Sequence, residues 1–206
     1  AKTLFPYTTL FRSWSIRVST DLYRKTVGII GMGRSGRALA QRLKGFESKL
    51  LCVTPHPNLS WGETEGVAFT DLATLLRESD YVSIHAPLTP QTHHLIGAEE
   101  LAAMKSGAIL INTARGGLVD DRALLEALRS GHLGGAGLDV YEGESDPALK
   151  PVAQALLALP NVVGTPHSAA STREGLARTN MIIARTVVAV LDGTEPPEGC
   201  VIADGR

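Results

Sequence analysis

The segment Thr26-Val-Gly-Ile-Ile-Gly31-Met-Gly33-Arg-Ser-Gly36-Arg-Ala-Leu-Ala40 leaves this chain few folding options. A short apolar run rich in Val and Ile leads directly into G-x-G-x-x-G and then into a helical pattern. Gly31 lets the backbone turn tightly off the strand. Gly33 leaves bare backbone where a pyrophosphate fits, and Gly36 lets the helix approach the strand closely. The N–H groups of the helix start, at Arg34 and Ser35, and the helix dipole favour phosphate. Glycine-rich turns are common, so the motif alone is a weak signal. The strand before it and the helix after it, with Ala38, Leu39 and Leu43, make it a dinucleotide-site signature.

The rest of the chain repeats the same alternation. Strands are expected at Val27–Ile30, Leu50–Val53, Val67–Phe69, Tyr81–Ile84, Ala108–Asn112, Ala136–Asp139 and Val162–Val163. Helical stretches fall between them at Ser35–Lys44, Asp71–Glu78, Ala98–Met104, Asp120–Ser130 and Val152–Leu159, and one long pattern covers Ser171–Asp192. Asp71 and one of Asp120 or Asp121 are placed to cap helices, and Gly45, Gly107 and Gly131 stand just past helix ends. Alternating strands and helices predict an α/β fold with a doubly wound parallel sheet, the Rossmann arrangement. Strands that are apolar throughout suit a sheet covered on both faces. We divide the chain into a connection over 14–24, a dinucleotide-binding domain over 25–170, and a helix and tail over 171–206.

Composition narrows the partners. The chain has 206 residues, 44% hydrophobic, with a net charge of -1, which suits one large core and argues against nucleic acid and acidic membranes. Apolar runs are of strand length, so no membrane-spanning helix is expected. Cys52 falls in a core strand and Cys200 in the tail, so neither a disulfide nor a cysteine metal site is expected, and a cytoplasmic setting fits. His93 and His94 sit in the loop Thr89–Leu95 and are expected to be solvated, and no metal site is expected. His132 follows Gly131 in a turn. Residues 3–13, Thr-Leu-Phe-Pro-Tyr-Thr-Thr-Leu-Phe-Arg-Ser, resemble the in-frame translation of a widely used sequencing-library adapter. We therefore set residues 1–13 aside as an artefact and expect the natural sequence to continue upstream of Trp14.

Several segments in order resemble the D-isomer-specific 2-hydroxyacid dehydrogenases, a family that includes phosphoglycerate dehydrogenase. They are Lys25–Ala40, Ser79–Thr89, Met104–Gly117, Gly134–Glu144 and Asn161–His167, within a stretch of about 20–195. The resemblance implies an oxidoreductase that moves a hydride between NAD or NADP and a D-2-hydroxy acid or 2-keto acid. It also implies a homodimer and a second, substrate-binding domain that is largely missing here, so this chain alone is expected to be inactive. The helix Ser171–Asp192 would lead back toward that domain, with an apolar face left uncovered.

The catalytic set implied is Arg115, Glu144 and His167. Arg115, in Asn-Thr-Ala-Arg-Gly-Gly, matches the family's substrate-binding arginine, and a guanidinium fork suits a carboxylate. His167, after Thr165-Pro166, matches the proton donor, and imidazole exchanges a proton near neutrality. Glu144 matches the carboxylate that pairs with this histidine and stabilises its imidazolium. Glu142 is the competing carboxylate; register favours Glu144, although the family's usual Pro after it is here Ser145. Cofactor contacts are implied for Gly31, Gly33, Arg34, Ser35, Gly36, Thr54, Ala86, Thr113, Ala114, Arg115, Asp139 and His167. Asp139 would meet the nicotinamide carboxamide, with capping of the next loop as the structural alternative, and His85 is expected to position its loop.

One expected group is missing. An NAD site of this kind normally places Asp or Glu about 20 residues beyond the glycines, on the ribose hydroxyls. Here the strand ends in Thr54-Pro-His56-Pro. NADP is therefore permitted beside NAD, yet no Arg stands there to grip its phosphate. The alternative from another class is a non-catalytic NAD(H)-sensing module like the corepressors related to this family, or a cofactor-binding fragment without activity. Retention of Arg115, Glu144 and His167 favours the enzyme. The sequence leaves the particular 2-hydroxy acid open.

Overall fold

A computed structural model describes residues 20–197. The adapter-like segment 3–13, most of the connection 14–24, and the end of the tail with Cys200 lie outside the described residues.

All seven expected strands form: β1 (Thr26–Ile30), β2 (Lys49–Val53), β3 (Val67–Phe69), β4 (Tyr81–Ile84), β5 (Ile109–Asn112), β6 (Gly135–Leu138) and β7 (Val162–Gly164). Every pairing is parallel, in the order β3-β2-β1-β4-β5-β6-β7. The helices are α1 (Arg34–Leu43), α2 (Leu59–Glu65), α3 (Leu72–Glu78), α4 (Ala98–Ala103), α5 (Asp121–Arg129), α6 (Lys150–Leu157) and α7 (Arg173–Leu191). Helix α2 was not expected. It is short and carries Gly62, Glu63 and Glu65, so no apolar period marks it; Asn58 caps it at the Trp61 N–H and Gly66 ends it at φ 72°.

Successive residues of β1 and β2 supply opposite cores. Val27, Ile29, Leu50 and Cys52 pack with Ala40 and Leu43 of α1 on one face. Ile30, Leu51, Val82, Ile84, Leu110 and Leu138 pack with leucines of α3, α4, α5 and α6 on the other. Burial pushes the Cys52 thiol up to about 12, so it stays protonated and serves as a core residue. The expected uncovered face is present on α7, where Leu176, Met181, Ile182, Ile183, Val187, Val188, Val190 and Leu191 are all exposed.

Close packing of α1 on β1 depends on Gly36. A Cβ added there would lie 2.2 Å from the Gly31 carbonyl oxygen. Gly31 itself sits at φ 97°, a left-handed conformation that glycine adopts without strain.

A buried pair of carboxylates joins α5 to the turn after β6. Asp120 caps α5 at the Arg122 and Ala123 N–H groups, which frees Asp121 for other bonds. The Asp121 N–H donates to Glu142 Oε2 and the Glu142 N–H donates to Asp121 Oδ2, each at 3.0 Å. His94 Nε2 meets Glu142 Oε1 at 2.7 Å, so His94 is a half-buried partner of a carboxylate and not the solvated loop residue expected from sequence. Burial, reinforced by the neighbouring Glu142 and Asp120 charges, pushes the Asp121 carboxyl up to about 6 despite the N–H bond from Glu142.

Two measurements test this packing. Gly36→Ala should lower unfolding free energy by about 1–3 kcal/mol, read as a lower urea midpoint. Gly45→Ala, where the added atom meets nothing within 4 Å, should stay within about 0.5 kcal/mol. The raised Asp121 carboxyl means that the folded chain holds this proton to higher pH than the unfolded chain does. Its contribution to stability is therefore greatest below its ordinary value of 3.8 and declines as pH rises to about 6. Urea midpoints from pH 4 to 7 should show Asp121→Asn gaining relative to the unsubstituted chain across that window and holding a constant offset above it.

Candidate active site at the carboxyl ends of the strands

Parallel strands place the residues that follow each of them along one edge of the sheet. The loops after β1, β2, β4, β5, β6 and β7, together with the first turn of α1, hold every sequence-implied site residue. β1 lies between β2 and β4, where successive crossovers leave on opposite faces and a crevice opens.

The glycine turn has room for a dinucleotide. Gly33 is exposed, and a Cβ added to it would meet nothing within 4 Å. It is the N-cap of α1 without a side-chain cap, and no acidic residue occupies the first turn. Arg34 and Ser35 open the helix at the surface, so first-turn N–H groups face solvent where phosphate oxygens can accept from them. Gly31 is pressed against the loop after β4: its added Cβ would lie 2.8 Å from the Ala86 nitrogen and the His85 carbonyl. His85 bonds Ser83 Oγ at 2.9 Å and Ser35 Oγ at 3.2 Å, bracing the turn as expected. Burial lowers its tendency to take a proton. Thr54 directly follows β2, half-buried, with no carboxylate beside it in sequence.

After β5, Asn112 shapes the loop that carries Thr113, Ala114 and Arg115. Its Oδ1 accepts from the Ala114 N–H at 3.1 Å and its Nδ2 donates to the Arg115 carbonyl at 3.0 Å. Arg115 is exposed, and one of its N–H groups rests on the Ala114 carbonyl. Gly116 then passes close to the next loop, where an added Cβ would lie 2.2 Å from the Tyr141 oxygen. Sequence reasoning did not single out Asn112 or Gly116; a buried amide at a strand end and the first glycine of a pair were the available signals.

The two carboxylates after β6 are separated by their partners. Glu142 is committed to Asp121 and His94, as described above. Glu144 accepts from the Tyr141 N–H at 2.8 Å through Oε1 and meets His167 Nδ1 at 2.7 Å through Oε2. The register choice of Glu144 over Glu142 thus agrees with the geometry. With Nδ1 on the carboxylate, Nε2 is the nitrogen left for exchange, and both side chains are about half exposed at 52% and 40%.

His167 is held at φ 51°, an unusual backbone for a side chain with a Cβ. Its N–H donates to the Asp139 carbonyl at 2.8 Å. The Asp139 carboxylate accepts from the Ser168 and Ala169 N–H groups, each at 2.9 Å, and from the Thr165 hydroxyl. Burial pulls the Asp139 carboxyl up, but these bonds and the nearby His167 outweigh it and hold the group below its ordinary value. The Asp139 carboxylate thus caps the turn after β7 and not the loop that directly follows Asp139 itself.

Known proteins resemble this chain in sequence and fold. The sequence profile of the family described as D-isomer specific 2-hydroxyacid dehydrogenase, NAD binding domain, matches residues 9–169. The chain is 45% identical over 177 residues to a glyoxylate reductase of Korarchaeum cryptofilum, covering 86% of this chain and 52% of that protein. It is 42% identical over 174 residues to a D-3-phosphoglycerate dehydrogenase of Methanocaldococcus jannaschii, covering 84% of this chain and 32% of the relative. Among solved structures, D-lactate dehydrogenase with NAD+ from Lactobacillus jensenii superposes with a TM-score of 0.82 at 34% identity, covering 90% of this chain and 59% of that one. The chain thus spans about a third to a half of the length of these two curated relatives. Over that span the sheet order, the open glycine turn and the matched profile agree: the chain belongs to the D-isomer-specific 2-hydroxyacid dehydrogenase family as its NAD-binding domain, with NAD as its cofactor.

Proposed function

We propose that this domain serves an enzyme that interconverts a small 2-keto acid and its D-2-hydroxy acid. The observation that carries the reading is the 2.7 Å contact between His167 Nδ1 and Glu144 Oε2, at the strand edge that also presents Arg115. The cofactor, when bound, supplies or accepts the hydride at the substrate's second carbon.

The chain's own groups divide the remaining work. Gly33, with the α1 N–H groups of Arg34 and Ser35, holds the pyrophosphate. Thr54 borders the ribose, and Ala86, Thr113, Ala114 and Asp139 line the nicotinamide side. Arg115 grips the substrate carboxylate through two N–H groups, fixing the second carbon for attack. During reduction, His167 donates its Nε2 proton to the carbonyl oxygen as negative charge develops there. Glu144 keeps the imidazole in the tautomer with Nδ1–H on the carboxylate, and it stabilises the imidazolium before transfer. In the oxidative direction the same nitrogen takes the hydroxyl proton. A homodimer accompanies this reading by resemblance, and the cysteine usage fits a cytoplasmic setting.

The test is reduction of glyoxylate, hydroxypyruvate and pyruvate with NADH, on this chain and on any longer reading frame that contains it. His167→Ala should cost about 10²–10⁴ in kcat while NADH binding, followed by fluorescence, stays unchanged. Glu144→Gln should lower kcat in the same direction, and Arg115→Lys should act mainly on KM, because an ammonium cannot reproduce the fork. Full turnover in His167→Ala would sink the assignment and favour a cofactor-sensing module. Cofactor choice has a separate check. Thr54→Asp should leave NADH binding intact and weaken NADPH binding at least about tenfold, since a carboxylate repels the 2′-phosphate.

A further inference from the structure

His93, His94 and Glu142 come together outside the proposed catalytic set. Each offers one ligand atom, and the three atoms lie within 4.8 Å of one another. We propose that they form a binding site for a divalent transition-metal ion of the zinc type. Two imidazoles and one carboxylate suit Zn²⁺, Co²⁺, Ni²⁺ or Cu²⁺, whereas Mg²⁺ and Ca²⁺ take all-oxygen shells.

The donors are already held in place. Glu142 Oε2 is fixed by the Asp121 N–H, and Oε1 faces His94 Nε2 at 2.7 Å. The His94 N–H donates to the Gly117 carbonyl at 2.7 Å and the His93 N–H to the Thr89 carbonyl at 3.0 Å. The two rings stack with centroids 3.9 Å apart, and the His93 ring edge borders Gly117. An ion would replace the His94–Glu142 hydrogen bond and draw in His93 as the third ligand.

Charge points the same way. Asp121 and Glu142 are buried side by side, with Asp120 at the same helix start, and His94 is the one basic side chain bonded to them among the described residues. A dication balances two carboxylates better than a single imidazolium does. Three protein ligands leave a fourth tetrahedral position for water, and exposed His93 gives access from solvent, so the ion would be exchangeable. The site clamps the loop after β4 to the turn after β6, across 48 residues of sequence.

Calorimetry with Zn²⁺ and visible absorption with Co²⁺ on the 206-residue chain test the site. The expected result is saturable binding of one ion, absorption bands of a tetrahedral Co²⁺ site, and a Tm that rises with Zn²⁺ but not with Mg²⁺. His93→Ala, a change at an exposed ring, should weaken binding at least about tenfold. His94→Gln should do the same, and its amide can keep the hydrogen bond to Glu142 that supports the fold. His167→Ala should bind as the unsubstituted chain does. Absence of saturable binding would overturn the site, and so would binding that survives both His93→Ala and His94→Gln. Loss of binding in His167→Ala would instead place the ion on the His167–Glu144 pair.

Discussion

β1 pairs in parallel with β2 on one side and β4 on the other, and the rest of the structure depends on that double pairing. Parallel neighbours cannot be joined by a tight turn, so each connection must climb over a face of the sheet. With β1 interior, beside the point where the strand order reverses, connections run outward in both directions and cover opposite faces. Both faces then demand apolar residues, which is why successive residues such as Ile29 and Ile30 enter different cores. The polar ends that remain uncovered are the strand termini. At one of these edges all the loops that follow the strands come together, and the turn at Gly31–Gly36 occupies its centre.

Along that edge the structure binds charge with backbone N–H groups. Asp139 accepts two of them, Glu142 one and Glu144 one. A buried carboxylate without partners would be several kcal/mol too costly for a domain of this size. Reciprocal bonds between Asp121 and Glu142 reduce that cost, but burial still leaves Asp121 holding its proton to higher pH than usual. The same bonds fix the turn on which Glu144 sits two residues later. Stability at pH 7 is thus partly surrendered to hold one loop in register.

The strand–turn–helix at Gly31 and the alternation of elements were legible because they rest on local chemistry. Periodicity, glycine spacing and the caps at Asp71 and Asp120 are all properties of neighbours in sequence. Family register placed Glu144 against His167, a contact across 23 residues that no local pattern encodes. Helix α2 escaped notice because its roughly two turns are marked by the caps at Asn58 and Gly66 rather than by an apolar stripe. His94 and Glu142 escaped for a different reason. Their bond spans 48 residues, and a histidine in a polar loop looks the same in sequence whether it is solvated or paired. Asn112 was hidden at the end of an otherwise apolar strand, where its amide braces the loop that follows.

The backbone at His167 shows how such a site is held. A residue with a Cβ in the left-handed region costs about 1–2 kcal/mol, so it persists only where neighbours hold it there. Here Asp139 does so from both ends: its carbonyl takes the His167 N–H, and its carboxylate takes the next two N–H groups and the Thr165 hydroxyl. One residue at the end of β6 therefore sets the path of the whole turn after β7. A turn fixed by four bonds to a single buried residue, three of them to its carboxylate, cannot swing without breaking all of them together. The backbone at His167 is consequently placed by the sheet itself, through β6, and the ring is then held by its contact with Glu144. Such preorganisation would serve the proton transfer proposed for His167, because the donor's backbone is fixed before charge develops.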